Sequence, residues 1–312
     1  MKNDDILNPL ETRKLIGLNN YFDDLIKLYD LKILPKVMLI SGKKGLGKFT
    51  LINHFLNYIF SKKTYDLNKK IISAKSEVFN KQLRGVFENI VHIKNEGIQK
   101  IKIDDVRKLK SLLLKAPING NFRFVILDDV EQLNKNSSNA LLKIIEEPTE
   151  HNYFILIDNQ ENHMIETISS RCLKIKIFLN KEEEIRIIQS LVEEKKINKT
   201  LKENNLDLSP GQFIRYNNLC LENDITHDLE YLEKVEKLLN LYKKSKNKMF
   251  INLSILFTNE HFYNLSLKER RQIFLLNSIK NKIIHYINDF FVYNLNLSSV
   301  LNLIHAQFTH AK

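Results

Sequence analysis

A glycine-punctuated turn near the start of the chain restricts its fold more than any other feature. The short apolar run Val37-Met38-Leu39-Ile40 passes directly into Ser41-Gly42-Lys43-Lys44-Gly45-Leu46-Gly47-Lys48-Phe49-Thr50, and helical spacing follows at Leu51, Phe55 and Ile59. Strand, G-x-x-x-x-G-K and helix in that order form the context a phosphate-cradling loop requires. Glycines let backbone N–H groups converge on an anion, and the helix N-terminus adds partial positive charge. Gly42, Gly45, Gly47 and Lys48 are therefore candidate phosphate-binding residues. The position after the lysine ordinarily carries Ser or Thr, whose hydroxyl binds Mg²⁺, but here it is Phe49. Thr50, one residue on, is rotated ~100° around the helix. It stays among the candidate nucleotide-site residues without simply replacing the missing hydroxyl.

A second signal pairs with the loop. Phe122-Arg123-Phe124-Val125-Ile126-Leu127 is an apolar strand ending in Asp128-Asp129. In phosphate-loop enzymes the first such acid orients Mg²⁺ or its water shell. In ring-forming ATPases of the AAA+ type the second acid is Glu, which polarises the attacking water. Asp129 is one methylene shorter, and a misplacement of ~1 Å can cost ~10²-fold in rate. Poor hydrolysis is the expected result. A surface turn that merely begins with two Asp residues is the plain alternative.

The apolar runs at Val37–Ile40, Val91–Ile93, Phe122–Leu127 and Tyr153–Ile157 are short and nearly continuous, and helical patterns separate them. That arrangement predicts a parallel sheet covered on both faces. The polar stretch 61–70 reads as a loop, and the helix from Ile103 to Leu114 ends ahead of Pro117. After Ile177 the pattern turns helical, with Lys181-Glu182-Glu183-Glu184 opening a helix and Ser209-Pro210-Gly211 breaking the chain before another. From about Asp228 onward the apolar faces lengthen, as at Leu275, Ile279, Ile283 and Ile287. Three parts are expected: an α/β domain over 1–178, a small helical domain over 179–227 and a larger helical domain over 228–312.

Composition narrows the classes. The chain has 312 residues, with Lys+Arg 48 against Asp+Glu 37, a net charge of +11. Its 43% apolar and 27% charged content excludes wholesale disorder. Two Cys exclude a disulfide scaffold and a four-Cys zinc cluster. No apolar run approaches the ~18 residues of a membrane helix, and the first residues lack an apolar signal core, so a cytoplasmic protein is expected. The basic surplus suits a nucleic-acid partner, but richness in Lys, Asn and Ile equally follows from an AT-rich genome. Residues 231–312 hold 12 basic and 5 acidic residues, so most of the surplus lies far from the phosphate loop.

The segment Ser137-Ser138-Asn139-Ala140-Leu141-Leu142-Lys143-Ile144-Ile145-Glu146-Glu147-Pro148 closely resembles the N-A-L-L-K-x-x-E-E-P stretch of bacterial clamp-loader subunits. Phe154–Ile157 followed by Thr167-Ile168-Ser169-Ser170-Arg171-Cys172 is similar to that family's strand and T-I-x-S-R-C. Ile103-Asp104-Asp105-Val106-Arg107, Asn8-Pro9 and Gly17-Leu18 resemble its other marks, in the same order over residues 8–178. Beyond residue 180 only Ser209-Pro210-Gly211 is similar, to a lid-domain segment. Phe49 and Asp129 fit the non-hydrolysing, delta-prime kind of subunit better than the gamma/tau motor. Many delta-prime relatives carry a four-Cys zinc module after the loop helix; residues 51–100 contain no Cys, so no zinc is expected.

The resemblance implies an AAA+ type P-loop domain, a helical lid and a C-terminal helical collar that joins subunits in a ring. It implies motor (gamma/tau) and delta subunits as partners, with the sliding clamp and primer–template DNA reached through the complex. It implies a degenerate ATP/ADP site and little catalysis by the lone chain, within a DNA-directed DNA polymerase III holoenzyme. Arg171 would project into the ATP site of an adjacent motor subunit as an arginine finger; the alternative is a surface Arg paired with Asp or Glu. Asn159 falls where AAA+ proteins place a polar sensor, or serves as a turn residue. Arg215 lies where a second sensor Arg occurs, or is an exposed helix residue. Cys172 and Cys220 read as structural thiols, and the basic run Lys243–Lys248 as a solvated loop. The competing function is an autonomous AAA+ type ATPase acting on DNA or protein through Lys48, Asp128 and Asp129.

Overall fold

The computed structural model describes residues 7–93, 103–115, 117, 122–202, 207–226 and 228–309. The last three positions of the expected C-terminal domain lie outside the described residues, as does position 227 at the end of the expected lid. By packing, the chain divides into two compact units. The first comprises Met1–Lys195 with Ser209–Gln212, the second Lys196–Leu208 with Phe213–Lys312.

The first unit begins with α1 (Asn19–Asp30), β1 (Val37–Ser41) and α2 (Lys48–Phe60), then a two-strand hairpin of β2 (Tyr65–Asp66) and β3 (Ile71–Ile72). It continues through α3 (Glu77–Leu83), β4 (Ile90–Ile93), α4 (Ile103–Leu113), β5 (Arg123–Leu127) and α5 (Lys135–Ile145). It closes with β6 (Asn152–Asp158), α6 (Glu166–Ser169), β7 (Leu173–Lys176) and α7 (Lys181–Lys195). Among the described residues, β4, β5, β6, β1 and β7 lie in that order in one all-parallel sheet.

Period-2 alternation sorts the side chains of the central strands onto two faces. Met38, Ile40, Phe124, Ile126, Ile155 and Ile157 pack with Phe22, Leu51 and Phe55 from α1 and α2. Val37, Leu39, Val125, Leu127, Phe154 and Leu156 pack with Val106, Leu141 and Ile168 from α4, α5 and α6. Burial on both faces explains why these strands read as continuous apolar runs. Each fully buried large side chain contributes on the order of 1.5–3 kcal/mol. The edge strands β4 and β7 are only partly covered. Ile187 and Leu191 of α7 join the first face, which draws α7 to the sheet unit although the sequence pattern changes before it.

The stretch 61–70, expected to be a plain loop, holds β2, which pairs with β3 just beyond it to form the hairpin. Tyr65 drives it: the ring is buried, stacks on Phe22 at 5.3 Å and offers its hydroxyl to His54 Nδ1 at 2.9 Å. His54 Nε2 lies 3.1 Å from the Thr12 carbonyl, and burial pushes the imidazole pKa down to about 4. This histidine is a neutral core residue.

The second unit takes α8 from Phe213 onward, α8 running Pro210–Glu222. It adds α9 (Tyr231–Ser245), α10 (Lys248–Lys268), α11 (Ile273–Tyr293) and α12 (Leu297–Thr309). Successive helices α9 to α12 pack together, and α12 returns against α9. Glu230 and Glu233 form a capping box at the start of α9, and Asn247 caps α10. On α11 the buried stripe is Leu276, Ile279, Ile283, Ile287 and Phe290. Leu275, expected in that stripe, is exposed. Strict four-residue steps drift around a 3.6-residue helix, so the buried face steps by three at its start. The basic run Lys243–Lys248 is exposed throughout, across the end of α9 and the start of α10; Lys246 Nζ donates to Asn294 Oδ1 at 3.1 Å, and Lys248 lies over the Phe291 ring. Among the described residues no helix is long and apolar enough to cross a membrane.

Candidate functional site

The loop between β1 and α2 has the backbone its glycines predict. Gly45 and Gly47 have φ of +85° and +86°, a region open to glycine at little cost. At Gly45 a second restriction applies, because an added Cβ would lie 2.4 Å from Ser209 Oγ. Ser209 donates to the Lys44 carbonyl at 2.5 Å and the Gly211 N–H to the Gly45 carbonyl at 2.9 Å. The Ser209-Pro210-Gly211 segment therefore docks on the phosphate loop itself, a contact the sequence pattern does not announce.

Lys48 opens α2 with only 3% of its surface exposed. Its ammonium donates to the carbonyls of Gly42 at 2.5 Å and Lys43 at 2.8 Å. Burial lowers its pKa to about 8, opposed by the nearby carboxylates, Asp128 foremost. Phe49 packs its ring against His92 of β4 with centroids 4.4 Å apart. A phosphate group fits a loop of this kind. The ordinary magnesium seat does not: an aromatic ring stands where its hydroxyl ligand belongs. Thr50 is partly buried on α2.

Strand order brings the acids to the loop. β6 is inserted between β1 and β5, pairing Ser41 with Asp158 and Leu127 with Leu156. Asn159, just past β6, thus sits between the loop and the acid pair. Its Nδ2 donates to Asp128 Oδ1 at 3.2 Å and to Asp129 Oδ1 at 2.7 Å. Asp129 itself holds a left-handed φ of 54° and donates its N–H to Asp128 Oδ1 at 3.0 Å. Burial first, then the charge of Asp129, push the Asp128 carboxyl pKa upward.

Three further charged residues enter the cluster. Lys44 reaches Glu161 Oε2 at 2.9 Å and Asp129 Oδ1 at 3.8 Å. Gln132 Nε2 also donates to Glu161 Oε2, at 3.1 Å. Glu131, in the 3-10 turn Val130–Gln132, is 6% exposed, and its Oε2 accepts the Asn159 N–H at 3.2 Å. Sequence reasoning missed Lys44, Glu131 and Glu161. The signal available was the close spacing of Glu131 to Asp128-Asp129 and of Glu161 to Asn159.

Arg171 stands apart from this cluster. It lies on the turn between α6 and β7, where its guanidinium pairs with Glu146 Oε1 at 2.8 Å and donates to the Thr167 carbonyl at 2.9 Å. The chain thus displays the ion-pair alternative, with both partners well exposed. Arg215 is exposed on α8. Burial raises the thiol pKa of Cys172 to about 11 and of Cys220 to about 12, so neither is a reactive thiolate near neutral pH.

A family model described as DNA polymerase III, delta subunit, matches residues 18–181. The DNA polymerase III subunit gamma of Buchnera aphidicola subsp. Acyrthosiphon pisum is 28% identical over 179 residues, 57% of this chain and 48% of that protein. The DNA polymerase III subunit delta' of Buchnera aphidicola subsp. Schizaphis graminum is 28% identical over 163 residues, 52% of this chain and 49% of that one. The DNA polymerase III subunit delta' of Pseudomonas aeruginosa is 30% identical over 139 residues, covering 44% and 41%. The chain spans about half the length of the curated relatives it matches most extensively. Because the matched span exceeds half of the chain and carries the loop, the acid pair and Arg171 together, the chain belongs to the DNA polymerase III delta subunit family of clamp-loader proteins.

Proposed function

We propose that the chain is a delta-prime-like assembly subunit of a bacterial clamp loader. It joins gamma/tau motor and delta subunits in a ring in the cytoplasm and helps place the sliding clamp on primer–template DNA. The three-part division at 178 and 227 belongs to this reading, with residues 228–312 as the ring-forming collar. The observation that carries the proposal is a separation of roles. The chain's own phosphate site has Phe49 at the magnesium-ligand position and Asp129 at the water-polarising position, whereas Arg171 is presented at the surface away from that site. Its pair with Glu146 is an exposed one, of the class worth about 0–1 kcal/mol. Such a pair yields readily to a phosphoryl group on a neighbour, whose transferring charge an arginine in trans stabilises by ~10³–10⁵ in rate.

Reconstitution tests this. The chain is expected to co-purify with motor and delta subunits. Arg171→Ala is expected to leave assembly intact and to slow turnover at one neighbouring site. Unchanged single-turnover ATPase in the assembled complex would overturn the role of Arg171. The second reading, an autonomous AAA+ type ATPase, draws on the convergence of Lys48, Asp128, Asp129 and Asn159. Robust ATP turnover by the lone chain, abolished by Lys48→Met, would favour it. In either reading residues 42–48 offer a seat for the phosphates of ATP or ADP.

A further inference from the structure

We infer that the exposed face at the start of α11 binds single-stranded nucleic acid. Between Glu269 and Asp289 the chain carries no acidic residue, while Arg270, Arg271, Lys280 and Lys282 fall within that stretch. None of the four is ion-paired to a carboxylate among the described residues. Arg270 and Arg271 lie on the 3-10 turn that leads into α11, and both are exposed, as is Lys282. Phe274, in the first turn of the helix, leaves 91% of its surface exposed. Covering such a ring is favourable, yet the bundle does not use it: the inward stripe of α11 starts at Leu276.

What continues the Phe274 face decides the partner. At helical steps of four and three residues the next exposed positions are Ser278, Asn281 and His285. A protein helix that docks in a groove, or the groove that receives it, repeats apolar anchors at those steps. Here one ring, flanked by the half-exposed Leu275, gives way to a hydroxyl and an amide. Single strands are held by this combination: a ring on which a base stacks, cations that follow the phosphates, and small polar groups between them. Phe274 and Lys282 stand about 12 Å apart along the axis at 1.5 Å per residue, with Arg271 on the other side of the ring in sequence. A strand laid along the helix therefore meets positive charge before and after the stacked base. A duplex offers no free base face to Phe274, so the single strand is the form selected. The face lies within the second unit and draws on neither the phosphate loop nor Arg171. It is a direct contact by this chain, which assembly with other subunits does not require.

The test uses the full chain and a fluorescein-labelled oligothymidylate of about 16 nucleotides, the upper site size of a single-strand binding module, with anisotropy as the readout across a salt series. The expected result is binding at low salt that weakens as salt rises, with a slope of about −0.7 per phosphate neutralised. Phe274→Ala is expected to weaken binding at least ~5-fold, the low end of one base–ring stack, and to leave the salt slope unchanged. Phe274→Tyr is expected to restore it. Arg270→Gln with Arg271→Gln is expected to flatten the slope by about 1.4, two phosphates' worth. All these side chains are exposed, so the variants are expected to fold, and a thermal melt checks this. The control is Lys243→Gln with Lys244→Gln, on the exposed end of α9 beside the far end of α11. An equal loss in that control would assign binding to diffuse charge and overturn the proposal. So would no binding at low salt, or unchanged affinity in Phe274→Ala. If Phe274→Ala spares the oligonucleotide but breaks co-purification with motor and delta subunits, the face is a protein contact instead.

Discussion

The phosphate-loop cluster and the turn that carries Arg171 are both charged, and both lie on the sheet unit, yet they are built in opposite ways. In the cluster, Lys48, Glu131 and Asn159 are at least nine-tenths buried, and one amide of Asn159 ties two carboxylates together. At the turn, Arg171 and Glu146 keep 39% and 44% of their side chains exposed. Burial makes charges expensive unless each is tethered, so the cluster is interlocked and resists substitution. Exposure makes a pair cheap to form and to break. A residue that must leave its partner to meet another subunit belongs on the second kind of ground.

The sharpest way to break this contrast is Arg171→Ala. In the reconstituted complex, turnover at the affected neighbouring site is expected to fall by ~10³ or more. The isolated variant is expected to lose no more than about 1 kcal/mol of unfolding free energy in denaturant titration. Comparable losses of stability and turnover would mean that the turn is structural. On the cluster side, Gly45→Ala is expected to cost several kcal/mol. About 1–3 kcal/mol comes from the left-handed backbone and about 1–3 from forcing a Cβ into Ser209. Urea unfolding measures it, and a wild-type midpoint would show that neither the backbone at Gly45 nor Ser209 resists the added methyl.

Asn159→Ala comes next, at about 1.5–3 kcal/mol, the class of hydrogen bonds to charged groups. It also leaves Asp128 and Asp129 to repel each other. The last effect is one of pH. The folded pKa of Lys48, about 8, lies below the ordinary lysine value of 10.5. Between those values the unfolded chain binds more protons than the folded one, so this lysine makes stability rise with pH across that window. Below pH 8 the cost of burying the charge is present in full. Lys48→Met is expected to flatten this part of the stability–pH curve, and an unchanged slope would assign it to another group.

Much of the cluster was legible in the chain. The Gly45 and Gly47 positions, Lys48 and the acids after β5 are local features: glycine conformations, a helix start and the end of an apolar run. Asn159 was placed by its position after an apolar strand, and it does bridge the acids. Lys44, Glu131 and Glu161 were not legible, because Lys44 and Glu161 are 117 residues apart and meet only through strand pairing. The β2–β3 hairpin was missed for a related reason. Polar residues surround Tyr65, so no periodicity shows, and what holds it is the distant Phe22. On α11 the exchange of Leu275 for Leu276 shows the limit of a fixed-step stripe, since only the packing of the bundle selects which of two adjacent leucines faces inward.

The sequence by itself determined the elements and their chemistry: two-sided apolar strands, a loop that only glycines can shape, two acids at a strand end and an aromatic where a metal ligand belongs. These follow from dihedral sterics and side-chain type, which act within a few residues. Tertiary structure alone decided that β6 lies between β1 and β5. That placement carries Asn159 and Glu161 to the loop, and the same fold sets Ser209 against Gly45 and holds Arg171 beside Glu146. Strand order is a contest among non-local burials, won by whichever arrangement covers both faces of the sheet, and no stretch of local pattern encodes that outcome.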